Sequence, residues 1–421
     1  MTDRVLIIST APPVPVDNGK RMVLSGLLDY FAGRLGAENV HYTLLGAPGA
    51  ERPGFPGIAH RLDPPSTIGQ LSVLLGRLAR DSSYTVQEAM LGSPALREQI
   101  QALVSWLRPT IEIYDTLRMG QHAPTGSVGR QYLYLDDLFS LRYERMLRFD
   151  RDNDVQIDPL GEFASNVPGP LRALVRRPAV YRRVLKLEQR RIERREVTMA
   201  RRFDTSMLIN PNEVATLRQR AGTDGVRQIS GLLPSVEPVH REPVSPPELL
   251  FLGRLNIPHN EDAISAFLQS VMPTLVDTMP GVVLRVVGSG ASDRLRALAA
   301  PFGDQVRMEG FVPDLEPLFS RVTASVAPLR FGTGIKIKTL DTLARGVPVL
   351  TTALGVDGLD VSPDGRDGIL VCDDLSAWPD LLRELTVRSE NQLLSKAAVT
   401  YFDRTFSRRV VEQQYDELFG L

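Results

Sequence analysis

Short apolar runs, each about one strand long, alternate along this chain with segments whose apolar residues recur at helical spacing. Arg4–Ser9 is a continuous apolar strand. A loop with Pro12, Pro13, Pro15 and Gly19 follows, then a helical pattern from about Arg21 to Phe31 and a second strand at Val40–Leu45. This strand–loop–helix–strand opening predicts parallel βαβ units. Further strands are predicted at Thr110–Tyr114, Gln131–Leu135 and Thr205–Ile209, with a long charged helix at Pro178–Arg202. Phe149–Pro170 lacks periodicity and reads as a loop.

The proline-rich stretch Glu242–Glu248 is the expected linker. Beyond it, strands at Leu249–Gly253, Val282–Gly288, Gln305–Glu309, Thr323–Ala327 and Val347–Thr351 alternate with helices near Glu261–Ser270, Arg294–Ala300, Leu315–Phe319 and Ile335–Ala344. Strands that are apolar throughout and separated by helices specify a doubly wound sheet covered on both faces. Two such sheets are expected. Ligands of such folds bind at the carboxyl ends of the strands, so the loops after strands are where chemistry is sought.

Composition narrows the field. At 421 residues the chain is too long for one ordinary core, which agrees with two domains. The net charge of −1 supplies no global attraction for nucleic acid, and none is expected as a partner. The single cysteine, Cys372, precludes an intrachain disulfide framework, and I-L-V-C reads as a buried strand. The amino terminus enters a strand at once instead of reading as a signal peptide, and no apolar run reaches the ~20 residues of a membrane span, so a cytoplasmic protein is expected.

The loop–helix segment Ala327–Thr352 carries the strongest chemical signal. Gly332 and Gly334 allow close approach of backbone to a ligand, and the helix that follows presents unpaired N–H groups suited to a diphosphate. Lys336 and Lys338 add positive charge on different sides of the helix start, so one of the two faces the phosphates, and Asp341 is placed to accept hydrogen bonds from ribose hydroxyls. Arg254, directly after the strand 249–253, is a fixed cation for a diphosphate oxygen. Tyr132–Ser140 ends a strand with two carboxylates, Asp136 and Asp137. The five histidines are scattered and no metal cluster is expected; Asp152–Asp154 is a D-x-D spacing in a polar loop. The arginine-rich stretch Arg172–Arg202 reads either as a solvated helix with pairs such as Glu188–Arg191 and Arg190–Glu193, or as a surface for an anionic acceptor or membrane.

On these residues the chain resembles the retaining, nucleotide-sugar-dependent glycosyltransferases of the GT-B fold (family four, group 1 type), and among them the exopolysaccharide-type sugar transferases. The resemblance is close over 249–360 and looser over 1–240. It implies two Rossmann-like domains facing a central cleft: 1–242 on the acceptor side, 243–403 binding the nucleotide sugar, and a helix within 404–421 packing back on the first domain. Arg254 matches the arginine of the family's G-R-x4-K-G; His259 stands where its lysine would be, and Asn260 where its glycine would be. Asp341 takes the place of the ribose-binding glutamate. An acidic residue frequent eight positions earlier is here Thr333, which leaves the N–H groups of Thr333, Gly334 and Ile335 for the donor sugar. Val312, in G-F-V-P-D-L, would read the base edge. Gly19 matches a diphosphate-approaching glycine of the first domain, with Lys20 or Arg21 assisting. Asp136 stands where many members have a histidine near the donor sugar. The implied activity is transfer of a hexose from a nucleoside-diphosphate sugar to a hydroxyl acceptor, with no cofactor or metal beyond that co-substrate. The rival readings are a GT-B epimerase or phosphorylase and a degenerate nucleotide-sugar-binding protein.

Overall fold

The computed structural model describes residues 3–14, 16, 19–46, 55–65, 76, 81–82, 84–153, 178–233, 238–332 and 335–421. The chain divides into two compact units. One is built from Met1–Leu147, Arg182–Pro234 and Val411–Leu421, and the other on Ser235–Val410.

The first unit holds a seven-stranded sheet of β1 (Val5–Ile8), β2 (Val40–Leu45), β3 (Ile58–Leu62), β4 (Ile111–Asp115), β5 (Arg130–Asp136), β6 (Thr205–Leu208) and β7 (Val226–Gln228), in the order β3-β2-β1-β4-β5-β6-β7. All neighbouring strands are parallel. β1 and β4 are buried at every position, and β1 reads as an unbroken apolar run for that reason, while β4 buries Glu112 and Asp115 as well. Helices α1 (Gly19–Leu35), α2 (Pro94–Leu107), α3 (Phe139–Asn153), α4 (Pro178–Arg202) and α5 (Pro211–Ala221) belong to the first part of the chain. Leu96 and Ile100 of α2 and Ile192 and Met199 of α4 join Leu6, Ile8, Leu133 and Leu208 in one core.

The second unit holds a six-stranded parallel sheet: β8 (Glu248–Leu252), β9 (Val283–Val287), β10 (Val306–Gly310), β11 (Ala324–Ala327), β12 (Val349–Thr351) and β13 (Ile369–Val371), in the order β10-β9-β8-β11-β12-β13. Its order reverses between β8 and β11, so the loops after these two strands lie at the switch point where such sheets bind ligands. Helices α6 (Pro258–Ser270), α7 (Ile337–Ala344), α8 (Arg388–Phe406) and α9 (Arg408–Phe419) follow in chain order.

Several expectations change. Glu242–Glu248 is not a free linker: the Glu242 and Val244 N–H groups donate to Ser320 and Arg321 carbonyls, and Arg241 donates to Gly346, Val322, Thr323 and Asn391. The division between units falls at 234/235 instead of 242/243. Arg404 lies in α8 and pairs with Asp367 at 2.5 Å within the second unit, so only the helix beyond it joins the first unit. There the buried Tyr415 donates to the Ser230 carbonyl at 2.6 Å, and Phe419 packs against Phe31 and Tyr132. Cys372 sits just past β13, half-buried, with its thiol toward the Asp374 carbonyl. The D-x-D spacing of Asp152–Asp154 lies outside the residues whose side chains are described.

Candidate active site

The turn after β8 is assembled around two glycines. The Gly253 N–H donates to the Val287 carbonyl at 3.0 Å, which ties the end of β8 to β9. Gly288 has φ 152°, and a Cβ there would fall 1.7 Å from the Gly253 carbonyl oxygen, so only glycine fits. Asn260, from the first turn of α6, donates from its side-chain amide to the Arg254 carbonyl at 3.0 Å. The residue that departs from the family pattern therefore holds the arginine's backbone in place. The Arg254 side chain is half-buried and has no hydrogen bond or ion pair among the described residues.

The loop after β11 is held as firmly. Thr351 and Thr352 hydroxyls donate to the Ala327 and Leu329 carbonyls, and Arg330 reaches Asp262 on α6 at 2.9 Å. Buried Phe331 meets the His259 ring edge-on, with centroids 6.2 Å apart. A Cβ on Gly332, whose φ is 131°, would lie 3.6 Å from the Lys336 Nζ and 3.7 Å from the His259 Cγ. Gly332, Lys336 and His259 thus form one cluster. Thr333 and Gly334 lie outside the described residues, and Ile335 is half-buried beside them. Helix α7 begins at Ile337, two residues later than the apolar spacing predicts, and no side chain caps it. Its first-turn N–H groups have no side-chain acceptor, which suits an anion.

Lys338 is reached by solvent, though protein atoms crowd it on several sides. Its pKa falls below the ordinary lysine value, first through that crowding and then through the positive charge of Arg254; Asp341 opposes both. Arg254 and Lys338 lie within electrostatic reach of each other. The Asp341 carboxylate is occupied by Arg345, four residues on along the helix, and Arg345 also lies over the Phe319 ring, 4.9 Å from its centroid. Burial raises the Asp341 pKa, and Arg345 and Lys338 lower it. Val312 is half-buried against Leu250, Val287 and Phe319, while its neighbour Phe311 is 74% exposed. An exposed aromatic next to this segment went unnoticed in the sequence, although G-F-V shows it plainly.

In the first unit Gly19 opens α1, and Lys20 is drawn to Asp115 at 2.7 Å instead of standing free for a diphosphate. Asp115 ends β4 with a fully buried side chain, and its other oxygen accepts from the Ser9 hydroxyl at 2.6 Å. Asp115 was missed by the sequence reading; the signal was a carboxylate closing the apolar strand I-E-I-Y-D. Asp136 ends β5 at an irregularity in the pairing with β6 and has φ 69°. The Tyr134 hydroxyl donates to its Oδ1 at 2.9 Å. Burial raises the Asp136 pKa to about 6, with Asp137 adding to the rise and Lys20, Arg142 and Tyr134 opposing it. Thr116, next to Asp115, has φ 64°, a strained conformation for a β-branched residue that costs ~1–3 kcal/mol.

With this geometry in view, comparison with known proteins is direct. The sequence model described as glycosyl transferases group 1 matches residues 246–386. The match spans the whole second sheet, from β8 to β13. The strand ends, the Arg254 turn and the α7 loop all lie inside it. A curated relative is the phosphatidyl-myo-inositol mannosyltransferase of Mycobacterium tuberculosis, 28% identical over 187 residues, covering 41% of this chain and 47% of that protein. The chain thus spans about half the length of the curated relatives it matches. Among solved structures, sucrose-phosphate synthase from Thermosynechococcus elongatus superposes with a TM-score of 0.65 at 16% identity, covering 99% of this chain and 98% of that one. Anabaena HepE, solved in complex with UDP, gives 0.62 at 11% identity, covering 99% of each chain. The fold shared with these structures is GT-B, with two Rossmann-like parallel-sheet units. Among the described residues no helix is long and apolar enough to cross a membrane, and no three His, Cys, Asp or Glu residues group as metal ligands.

Proposed function

We propose that this chain is a retaining glycosyltransferase that moves a hexose from a nucleoside-diphosphate sugar to an acceptor hydroxyl, with no metal or other cofactor. One observation carries the reading. Arg254 and Lys338 stand within reach of each other at the switch point of the second sheet, and neither has an ion pair among the described residues. Two cations brought together cost free energy unless an anion answers both, and the leaving diphosphate is such an anion. The uncapped start of α7 and the Gly332–Lys336–His259 cluster extend the same positive region. Asp341 is the ribose contact in this reading, the N–H groups of Thr333, Gly334 and Ile335 serve the donor sugar, and Val312 serves the base edge.

In the reaction the C1–O bond to the diphosphate breaks as Arg254 and Lys338 take up the charge of the departing oxygen. That oxygen accepts the acceptor's proton while the new glycosidic bond forms on the same face. Asp136, at a strand end of the first unit, is the carboxylate that this reading assigns to a sugar or acceptor hydroxyl. Support comes from HepE, solved with UDP and glucose and with UDP-glucose, and from the mannosyltransferase relative. A peripheral site of action on the inner face of the membrane is supported by exposed Arg183, Arg190 and Arg194 of α4 beside exposed Val184 and Leu187. Co-sedimentation with anionic but not neutral vesicles tests that contact.

The function itself is tested by thermal-shift screening with UDP, GDP, dTDP and ADP, followed by turnover of the matching donor with and without chelator. A nucleotide that binds only the folded chain raises the melting point. Binding of none of the four, or turnover that needs free phosphate as co-substrate, overturns the proposal.

A further inference from the structure

The first unit contains a charge arrangement that the leaving-group chemistry does not use. Lys20 comes from the first turn of α1, Asp115 ends β4, Ser9 follows β1 and Asp136 ends β5, so four separate segments converge at the carboxyl ends of adjacent strands. Asp115 is fully buried, with Lys20 on one oxygen at 2.7 Å and Ser9 on the other at 2.6 Å. Ser9 is itself held, accepting the Ala11 N–H at 3.0 Å. The Lys20 side chain is 20% exposed, so it is held largely within the protein and still reached by solvent. Asp136 is half-buried, takes Tyr134 on Oδ1, and receives no hydrogen bond on Oδ2 among the described residues.

We propose that Lys20 is a positioning residue: clamped by the buried Asp115, it stands beside the end of β5 and presents Asp136 as a carboxylate to a substrate hydroxyl. The proposal rests on the glycosyltransferase reading for the identity of that hydroxyl as the sugar's or the acceptor's, and on geometry alone for the clamp. The groups acting on Asp136 are Asp137, which disfavours its ionisation, and Lys20, Arg142 and Tyr134, which favour it. Arg142 is already committed to Asp137 through two nitrogens, at 2.8 and 2.5 Å. Lys20 is therefore the cation whose removal changes Asp136 without freeing Asp137. Burial has already pushed Asp136 up toward about 6, so removal of a nearby opposite charge, worth about one unit or more, favours its neutral form.

The test is carbon NMR of the full chain with labelled aspartate side chains, the Asp136 resonance being assigned with Asp136→Asn. The wild-type carboxyl is expected to titrate above the ordinary aspartate range, raised by burial and by Asp137. Lys20→Met is expected to raise the midpoint by about one unit or more. Lys20→Arg keeps the charge and is expected to keep the midpoint. An unmoved midpoint in Lys20→Met, or an equal rise in Lys20→Arg, overturns the proposal. A shifted midpoint in a chain that turns over no donor keeps the clamp and removes the glycosyltransferase reading.

Discussion

Replacing Arg254 by alanine separates a leaving-group site from an ordinary loop arginine. The backbone of residue 254 is held by groups that the substitution leaves intact: the Asn260 amide on its carbonyl at 3.0 Å, and the Gly253 and Leu255 N–H groups on β9 and the loop after it. The side chain has no protein partner to lose among the described residues. Folding stability is therefore expected to change by less than about 0.5 kcal/mol, as for other surface substitutions. Lys338 follows the same logic with a sign that can be checked. Its pKa is lowered on folding, so its charged form opposes folding, and Lys338→Met does not destabilise the ligand-free protein at neutral pH. Transition-state stabilisation is another matter. Loss of one preorganised donor to a developing oxyanion costs ~2.7–4 kcal/mol, or roughly a hundred- to a thousandfold in kcat/KM. Arg254→Ala and Lys338→Met should each fall in that range in nucleoside-diphosphate release from the cognate donor. The double variant should lose less than the sum, because both act on one group. The lowered pKa adds a further readout: in Arg254→Ala the Lys338 ammonium regains a higher pKa, and its acylation at pH 8–9 slows. Near-wild-type turnover in both single variants refutes the leaving-group site.

Asp341→Asn keeps size but removes the charge that a ribose diol would share with Arg345, and nucleoside-diphosphate affinity should weaken about tenfold, on the scale of one charged hydrogen bond. Unchanged affinity by calorimetry, with only a small stability loss, assigns Asp341 to its Arg345 pair alone. Phe419→Ala empties a fully buried site among Tyr30, Phe31, Tyr132 and Tyr415 and should cost ~3–5 kcal/mol in denaturant unfolding of the first unit. A loss under 1 kcal/mol contradicts the docking of α9. Burial raises the Glu196 carboxyl to about 8, with Ser140 and Arg220 opposing. An acid whose pKa rises on folding favours the fold below its unfolded value of 4.5, and that contribution is lost as pH rises toward 8. Wild-type melting temperature should therefore fall between pH 5 and 8.5, and Glu196→Gln should flatten the fall; parallel curves would sink the assignment.

The order of α/β elements and the two-sheet architecture were written in the chain itself, because a parallel strand buried on both faces must be apolar throughout. Val5–Ile8 and the apolar core of Glu248–Leu252 are legible for that reason. The edge strands were not. Ile58–Leu62 mixes exposed and half-buried positions, and Val226–Gln228 is three residues long, so neither carries the pattern of a buried strand. The glycines and cations of Ala327–Thr352 pointed to the segment that matches the group 1 glycosyl transferases because their spacing along the chain is local. What only tertiary structure decided is which distant charges meet. Asn260 rather than glycine steadies Arg254, Lys338 feels Arg254 across a long separation in sequence, and Lys20 is claimed by Asp115. A linear pattern records which residues are buried and on which period. It does not record partners, because an ion pair depends on the strand order of the sheet, and that order arises only when the elements pack.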